Sequence, residues 1–265
     1  EDLAGQWGIE VDIGFETDFG VEYATITRGG IYLFQSAGSF IDHAIIRNGI
    51  IGVQVDTTGN SSGRALEMTN TLITNMSAIG LYSQGGTIDG VNCEITNCGQ
   101  STAALTIGGA YNFKHSTFAN FWTESNRQAP SFYLSNYYED INDNLQIRNF
   151  EEAFFENCIL HGNNAQLTDF NEWVLDLEDE ENVSYTFRSC YVDSDEDLSD
   201  DGAHYFDMRK GDEPPPFLNA FEGSFDLPAG VSSQFTANGV GVTSDIQGQP
   251  RDLNNPTIGA HEKGE

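Results

Sequence analysis

Three residues near the start of the chain have side chains of the types that act on sugar polymers. Asp42, His43 and Arg47 lie within six consecutive positions. A polysaccharide lyase requires carboxylates for calcium and a nearby basic residue that removes a proton. A hydrolase instead requires two or three carboxylates on one face. Charges exposed along a ladder of strands are the alternative interpretation, so the three are candidates for catalysis and nothing firmer.

A second group contains Lys114, His115 and His161. When the repeated phrases of the chain are aligned, His115 falls in a column of asparagines (Asn70, Asn92 and Asn157). Asparagine is favoured where the backbone turns tightly. The alignment therefore favours a turn-capping role for His115 over a catalytic one.

Aromatic residues are concentrated between Trp122 and Phe150. This segment contains Tyr133, Tyr137 and Tyr138. Exposed aromatic rings stack on sugar rings, and a long insertion in a repeat protein often shapes a binding face. The same rings could instead cap the core. Trp122 and the three tyrosines are therefore candidate ligand-binding residues, with packing as the alternative.

Asp193, Asp195 and Asp197 alternate in an acidic stretch near the end of the repeats. This spacing is similar to that of a calcium loop, but the central Gly and terminal Glu of an EF-hand are missing. A solvated loop is the favoured interpretation. Calcium is the one cofactor that the stretch suggests, and no other is indicated.

The four cysteines do not form a dense disulfide framework. Cys93, Cys158 and Cys190 align in one column with Thr71 and Ser116. A column of small residues is expected inside a repeat protein, so buried free thiols are favoured over a bridge. Cys158 and Cys190 are the one pair that adjacent repeats could bring together, and no spacing supports a zinc site.

These candidates must be positioned by a short repeated phrase, an apolar pair followed by a polar residue and Asn. The Asn positions are 48, 75, 97 and 120, which gives steps of 27 (48→75), 22 (75→97) and 23 (97→120). An upstream copy over 21–26 aligns with 41–46 at an offset of 20 and places Glu22 and Arg28 one repeat earlier. Such a period, with short strands and no helices, predicts a β-solenoid with parallel strands.

Charge restricts the partners. Eleven Lys and Arg against 41 Asp and Glu give a net charge of −30. A basic face is required to neutralise phosphates, so the charge argues against nucleic acid and anionic membrane surfaces as partners, and we expect no nucleic acid. We recognise no signal-peptide pattern and no apolar run long enough to span a membrane in this sequence, and we expect no transmembrane segment.

Three segments carry a family resemblance: Ile41–Gly49, Ile107–His115 and Phe132–Asp140 are similar to Bacteroidetes right-handed parallel β-helix repeat proteins. The tail, Asp245–Arg251 and Pro256–Glu262, resembles the ending called a choice-of-anchor Q domain. The resemblance implies a right-handed parallel β-helix on an exported or cell-surface protein, often a lipoprotein associated with the outer membrane or a secretion-system cargo. Related members usually extend further upstream, and the resemblance implies no activity.

We therefore expect an all-β chain: a right-handed parallel β-helix over 1–210, interrupted by an insertion at about 122–150, and an irregular C-terminal segment over 211–265. A solenoid requires a cap over its first turn. We expect a missing N-terminal segment or a partner chain to cover residues 3–19.

Two functions are consistent with the sequence. The first is a non-enzymatic surface protein that binds a glycan or another envelope protein, or serves as a structural module. The second is a lyase or glycoside hydrolase that acts on an extracellular polysaccharide. An enzyme should show a cleft where ionisable side chains converge, and a binding protein a flat face.

Overall fold

A computed structural model of the chain describes residues 9–15, 30–57, 63–163, 171–179, 182–211 and 214–264, with the backbone alone for 9–15. The described chain is almost entirely β, and its sheets are predominantly parallel. The strands are β1 (Ile9–Phe15), β2 (Ile31–Leu33), β3 (Ser39–Arg47), β4 (Ile51–Asp56), β5 (Leu66–Thr69), β6 (Leu72–Met76), β7 (Ile79–Gln84), β8 (Thr87–Val91), β9 (Glu94–Cys98), β10 (Ala103–Thr106), β11 (Gly109–Lys114), β12 (Thr117–Asn120), β13 (Phe132–Ser135), β14 (Tyr137–Glu139), β15 (Leu145–Ile147), β16 (Phe150–Glu156), β17 (Ile159–Gly162), β18 (Trp173–Asp176), β19 (Thr186–Arg188), β20 (Tyr191–Val192), β21 (Tyr205–Phe206) and β22 (Arg209–Lys210).

Most strands belong to a unit of three that repeats along the chain. The first strand of each unit joins a six-stranded parallel sheet in the order β2-β4-β7-β10-β13-β18. The other two strands join a fourteen-stranded sheet, in which β3 pairs with β5 through its first half and with β6 through its second half. Each strand thus pairs in parallel with its counterpart in the next unit, which buries the apolar residues of both.

The register of the strands confirms the repeat read from the sequence. Ile45 pairs with Leu72, Leu72 with Glu94, and Glu94 with Thr117. These pairs reproduce the predicted steps of 27, 22 and 23 residues.

The first described strand is paired differently from the rest. β1 runs antiparallel to β3, with Ile13 opposite Ile41 and Ile9 opposite Ile46. The predicted upstream copy at 21–26, with Glu22 and Arg28, lies outside the described residues. Among the described residues, β1 pairs with the edge of β3 opposite to the edge that pairs with β5 and β6. The cap expected over residues 3–19 falls largely outside them and stays a prediction.

Residues with a left-handed backbone conformation, that is with positive φ, form two columns at the turns between strands. One consists of Asn48, Asn75 and Asn97, with φ of 62°, 56° and 50°. The other follows the asparagine column of the alignment and contains His43, Asn70, Asn92, His115, Asn157, Ser189 and Asp207, with φ between 46° and 55°. Asparagine adopts this conformation more readily than other non-glycine residues, which explains why the repeated phrase ends in Asn. The fourth asparagine of the repeated phrase, Asn120, is not among these left-handed residues. Its buried side-chain amide instead donates to the carbonyl of Cys98 at 2.8 Å.

The core lies between the sheets and is built from equivalent positions of successive units. Phe113, Phe155 and Phe187 stack with centroid separations of 5.6 Å and 4.7 Å, and Phe132 packs edge-on against Phe155. Such aromatic pairs contribute beyond their buried area. All four cysteines are buried and free, which confirms the prediction of buried free thiols and includes the three in the small-residue column, Cys93, Cys158 and Cys190.

The predicted insertion at about 122–150 is two separate segments. Phe132–Ser135 is a regular strand of the six-stranded sheet, in register with β10 and β18. The interruptions are a loop over 121–131 and the antiparallel hairpin of β14 and β15. Arg127 anchors the loop through a buried ion pair with Glu172.

The C-terminal segment, residues 214–264, packs against the strands that precede it. It contains two short 3-10 helices, Ala220–Glu222 and Ser233–Phe235. Its apolar residues form two clusters with the fourteen-stranded sheet: Phe217 and Phe225 around Phe121, and Phe235 and Ile258 around Ile159. No helix among the described residues has the length and apolarity to cross a membrane.

Candidate functional site

The outer surface of the six-stranded sheet carries tyrosine on every second strand. The register runs from Tyr32 through Gln54 to Tyr82, and from there through Ala104 to Tyr133. The residues on either side of Tyr32 and Tyr133 along the strand are buried, whereas both tyrosines are partly exposed. Because side chains alternate between the two faces of a strand, the tyrosines point away from the core.

Carboxylates hold the tyrosine hydroxyls at both ends of the row. Tyr32 donates a hydrogen bond to Oδ2 of Asp56 at 2.7 Å. Tyr133 and Tyr137 both donate to Oδ2 of Asp176, at 2.5 Å and 2.9 Å. Burial and the Asp176 carboxylate raise the pKa of Tyr133, and the hydrogen bond to Asp176 raises that of Tyr137. Both phenols therefore stay neutral and act as donors at physiological pH.

These hydrogen bonds tie the hydroxyls of Tyr32 and Tyr133 to carboxylates on neighbouring strands. Asp56 lies on the strand next to that of Tyr32, as Asp176 lies on the strand next to that of Tyr133. The residues between the tyrosines are covered: Gln54 is 6% exposed and Ala104 is 7% exposed. Adjacent strands are about 4.8 Å apart, so tyrosines on alternate strands are spaced by about 9.6 Å. We call Tyr32, Tyr82, Tyr133, Tyr137 and their two aspartates the tyrosine face.

One end of the tyrosine face is widened by a further aromatic residue. Phe34 is 57% exposed, and its ring lies 6.2 Å from that of Tyr32 at an interplanar angle of 27°. Two nearly parallel rings thus lie side by side there, one tied to a carboxylate and one open to solvent. A flat aromatic surface of this kind matches the apolar face of a pyranose ring.

Of the four predicted ligand-binding aromatics, the structure brings together two, Tyr133 and Tyr137. Tyr138 contacts Arg148, whose guanidinium carbon lies 5.6 Å from the ring centroid. Trp122 follows β12 of the other sheet and donates from Nε1 to Ser125 at 2.9 Å. Tyr32 and Tyr82 were not predicted. Their signal is the step from Tyr32 to Tyr82 and on to Tyr133, 50 and 51 residues or about two repeats each.

The structure does not gather the predicted catalytic residues at one point. Asp42 accepts hydrogen bonds from Thr69 at 2.6 Å and Asn70 at 3.1 Å, and it lies 2.8 Å from Nδ1 of His43. Burial acts to raise the pKa of Asp42, but these hydrogen bonds lower it on balance. These contacts link Asp42 to the turn at His43, the first residue of the asparagine column, and to Asn70, the next residue of that column. Arg47 lies on the half of β3 that pairs with β6, away from Asp42.

Arg47 instead lines a cleft of about 360 Å³ between β3, β6, β9 and the C-terminal segment. We call this the Arg47 cleft. Its walls are formed by Arg47, Asn48, Leu72, Thr74, Asn75, Glu94, Asn97, Phe221, Glu222 and Gly223. The cleft thus combines one cation, two carboxylates, three amides and one aromatic ring.

Glu94 in this cleft is supported from behind by a histidine of the C-terminal segment. Its Oε2 accepts from Nε2 of His261, and Nδ1 of His261 lies 3.0 Å from Oδ1 of Asp226. The second contact is an ion pair without hydrogen-bond alignment. Burial acts to lower the pKa of His261, but Glu94 and Asp226 raise it above its usual value. The protonated imidazole therefore offsets the charge of Glu94.

The remaining predicted residues are dispersed. Asp193 lies 3.9 Å from His161, and Asp197 accepts from the hydroxyl of Ser199 at 2.6 Å, while Asp195 is exposed. Within the described ranges, no group of three or more His, Cys, Asp or Glu side chains could hold a metal ion. The calcium interpretation therefore gains no support here.

Comparison with family models, curated proteins and solved structures gives no match to this chain.

Proposed function

We propose that the protein is a right-handed parallel β-helix that binds an extended, predominantly neutral polysaccharide along its tyrosine face, without cleaving it. The observation that carries this proposal is the placement of tyrosine on every second strand of one sheet, with carboxylates holding the hydroxyls at both ends.

The three-strand repeat supports the β-helical part of the proposal. Each unit contributes one strand to the six-stranded sheet and two to the fourteen-stranded sheet, and successive units pair in register. A chain that returns to the same sheet in parallel orientation makes a crossover, and such crossovers are right-handed in nearly all proteins. The result is a surface on which equivalent groups recur at the spacing of the strands.

The spacing of the tyrosines supports a polymer as the ligand. Alternate strands place the rings about 9.6 Å apart, which is close to the length of a disaccharide in an extended β-linked chain. A polymer with a two-residue repeat would place the same face of every second sugar over a ring. Asp56 and Asp176 lie beside these rings as acceptors for sugar hydroxyls.

Charge supports a neutral rather than an acidic polymer. The net charge of −30 creates a field that repels extended polyanions. Neutral sugars are insensitive to that field, and their recognition by stacking and hydrogen bonding needs no counter-charge. We assign the protein to the cell exterior, attached to the outer membrane or secreted, because the resemblance in its repeats and tail implies this location.

Affinity electrophoresis through gels that contain neutral β-linked polysaccharides tests the proposal. Tyr82→Ala removes the central ring, and we expect a two- to tenfold loss of affinity for that ring, with a further loss when Tyr32→Ala is added. Tyr138→Ala and Trp122→Ala are matched controls, since they remove aromatic rings outside the tyrosine face. Both should bind as the wild type does.

Two results would overturn the proposal. One is unchanged affinity in the folded double variant Tyr32→Ala, Tyr82→Ala. The other is release of reducing ends or unsaturated sugars from the bound polymer, which would establish an enzyme. Circular dichroism of each variant separates loss of binding from loss of fold.

A further inference from the structure

We propose that the Arg47 cleft is a second sugar site that takes a single carboxylate-bearing sugar, a uronate, carried as a branch or end of the glycan. This inference rests on the proposed function and extends it to a different surface. The tyrosine face lies on the six-stranded sheet and the adjoining strand β14, whereas the cleft lies on β3, β6 and β9 of the fourteen-stranded sheet.

The first step of the argument is the state of Arg47. Among the arginines in the described part of the chain, the others contact a carboxylate, a backbone carbonyl or an aromatic ring (Arg64, Arg127, Arg148, Arg188, Arg209 and Arg251). Arg47 is exposed, and within that part it has no such partner. In a chain with 41 acidic residues, a cation left without a carboxylate offers a site for an external one.

The amides beside Arg47 can hold sugar hydroxyls. Nδ2 of Asn75 donates to Oδ1 of Asn48, which fixes the orientation of both amides. Nδ2 of Asn48 and Oδ1 of Asn75 then remain as a donor and an acceptor, without a partner among the described residues. Backbone φ angles of 62° and 56° hold the two side chains in adjacent positions of one column.

The opposite wall offers acceptors and a ring. Oε2 of Glu222 accepts from Asn219 at 2.8 Å, and its other oxygen is open to a hydroxyl. Phe221 is 61% exposed at the rim and presents a face for stacking. Glu94 does not repel an incoming carboxylate as a bare charge would, because His261 is bonded to it.

The size of the cleft restricts the ligand to a short unit. A volume of about 360 Å³ lies at the lower end of the range of small-molecule sites. A longer run of uronates would extend into the field of the net negative protein. One carboxylate at Arg47 satisfies the cation without that penalty.

Isothermal titration with glucuronate and, as the neutral match, glucose tests the inference. We expect the intact protein to bind glucuronate at least tenfold more tightly than glucose, because the bond to Arg47 is charge-assisted. Arg47→Gln should abolish this preference. Lys114→Gln removes the same charge from β11, whose residues do not line the cleft, and should leave the preference unchanged.

The outcomes also separate this inference from the proposed function. Tyr82→Ala should keep glucuronate binding, and Arg47→Gln should keep binding to the neutral polysaccharide. Preference for glucuronate that persists in the folded Arg47→Gln variant, or that is lost equally in Lys114→Gln, would overturn the cleft assignment alone. Loss of neutral binding to the tyrosine face is measured independently by the gel experiment.

Discussion

Nε2 of His115 accepts a hydrogen bond from Nδ2 of Asn157 at 3.1 Å, one strand further along the same column. Its Nδ1 donates to the carbonyl of Thr257 at 3.1 Å. Both ring nitrogens are thereby committed, and the ring has no place for a second proton. Burial, with the nearby charge of Arg251, lowers the pKa of His115 to about 3.

This pairing predicts that His115 weakens the fold in acid. The unfolded state takes up a proton below about pH 6.5, whereas the folded state does not until about pH 3. As the pH is lowered from about 6.5 to about 3, this one group therefore decreases the free energy of unfolding by about 1.4 kcal/mol per pH unit. His115→Asn, which matches its neighbours Asn92 and Asn157, should remove this dependence. Urea denaturation at pH 7 and pH 4.5 measures it.

His43→Asn is the matched control, because His43 has nearly the same φ in the same column, 50° against 46°, but is exposed. The buried imidazole of His115 is retained in this variant, so the loss of stability between pH 7 and pH 4.5 should persist. Equal acid sensitivity in His115→Asn and the wild type would contradict the assignment of a neutral, buried imidazole.

His261 predicts the opposite dependence. Its pKa is raised by Glu94 and Asp226 against the effect of burial, so the folded state holds the proton more tightly than the unfolded state. The stabilisation is fully present below pH 6.5 and is lost as the pH rises through the raised folded pKa. We expect amide hydrogen exchange in residues 245–262, corrected for the intrinsic rate, to increase between pH 6 and pH 9.

His261→Gln should abolish that increase, with faster exchange already at pH 6. His204→Gln is the control, since His204 stacks on Tyr185 and bonds to its carbonyl, away from the C-terminal segment. An unchanged pH profile in His261→Gln would show that the segment is held by its apolar clusters and not by this ion pair.

The ion pair of Arg127 and Glu172 predicts a large effect on stability. The side chains are 3% and 2% exposed, and Glu172 also accepts from the backbone N–H of Ser131 at 2.8 Å. Arg127→Met leaves a buried charge without its partner, which costs about 3–5 kcal/mol in the free energy of unfolding. Replacing both residues, with Glu172→Gln added, should cost less than the single change. The exposed Arg148→Gln serves as the control and should change stability little in urea denaturation.

The cysteines predict an unreactive native protein. Burial raises the pKa of Cys93 and of Cys98 to about 12, so the thiolate is scarce at neutral pH. A thiol reagent at pH 8 should modify none of the four in the native state and all four in urea. Ser199→Cys, at an exposed position, is the positive control. Rapid modification of the native wild type would show that the interior opens on the time scale of the reaction.

The sequence predicted the register of β3, β6, β9 and β12 because it is marked by residues that turn the backbone, but it did not predict the antiparallel pairing of β1 or the hairpin of β14 and β15. Asparagine at 48, 75 and 97 marks a left-handed turn, and the steps between these residues are the steps of the register. The small-residue column placed Cys93, Cys158 and Cys190 in the interior for the same reason.

The site could not be predicted in the same way, because it depends on contacts between distant residues. Tyr32 and Asp56 are 24 positions apart, and Glu94 and His261 are 167 apart. No local sequence pattern predicts that residues 221–223 of the C-terminal segment line a cleft together with Arg47. Of the predicted candidates Asp42, His43 and Arg47, the first two lie together, whereas Arg47 lies on the other half of β3 because His43 turns the strand between Asp42 and Arg47.

The hydrogen bonds between the C-terminal segment and the turns of the asparagine column have a consequence for folding. Arg251 donates to Asn92 at 3.1 Å, Thr257 accepts from His115, and the N–H of Gly259 donates to the carbonyl of Asn157 at 2.8 Å. These partners stand on three successive strands and are aligned only when every strand is in its correct register. A slip of one residue would turn each strand over and erase the docking surface. Residues 251–259 can therefore dock only after the strands that precede them in the chain have paired in the correct register.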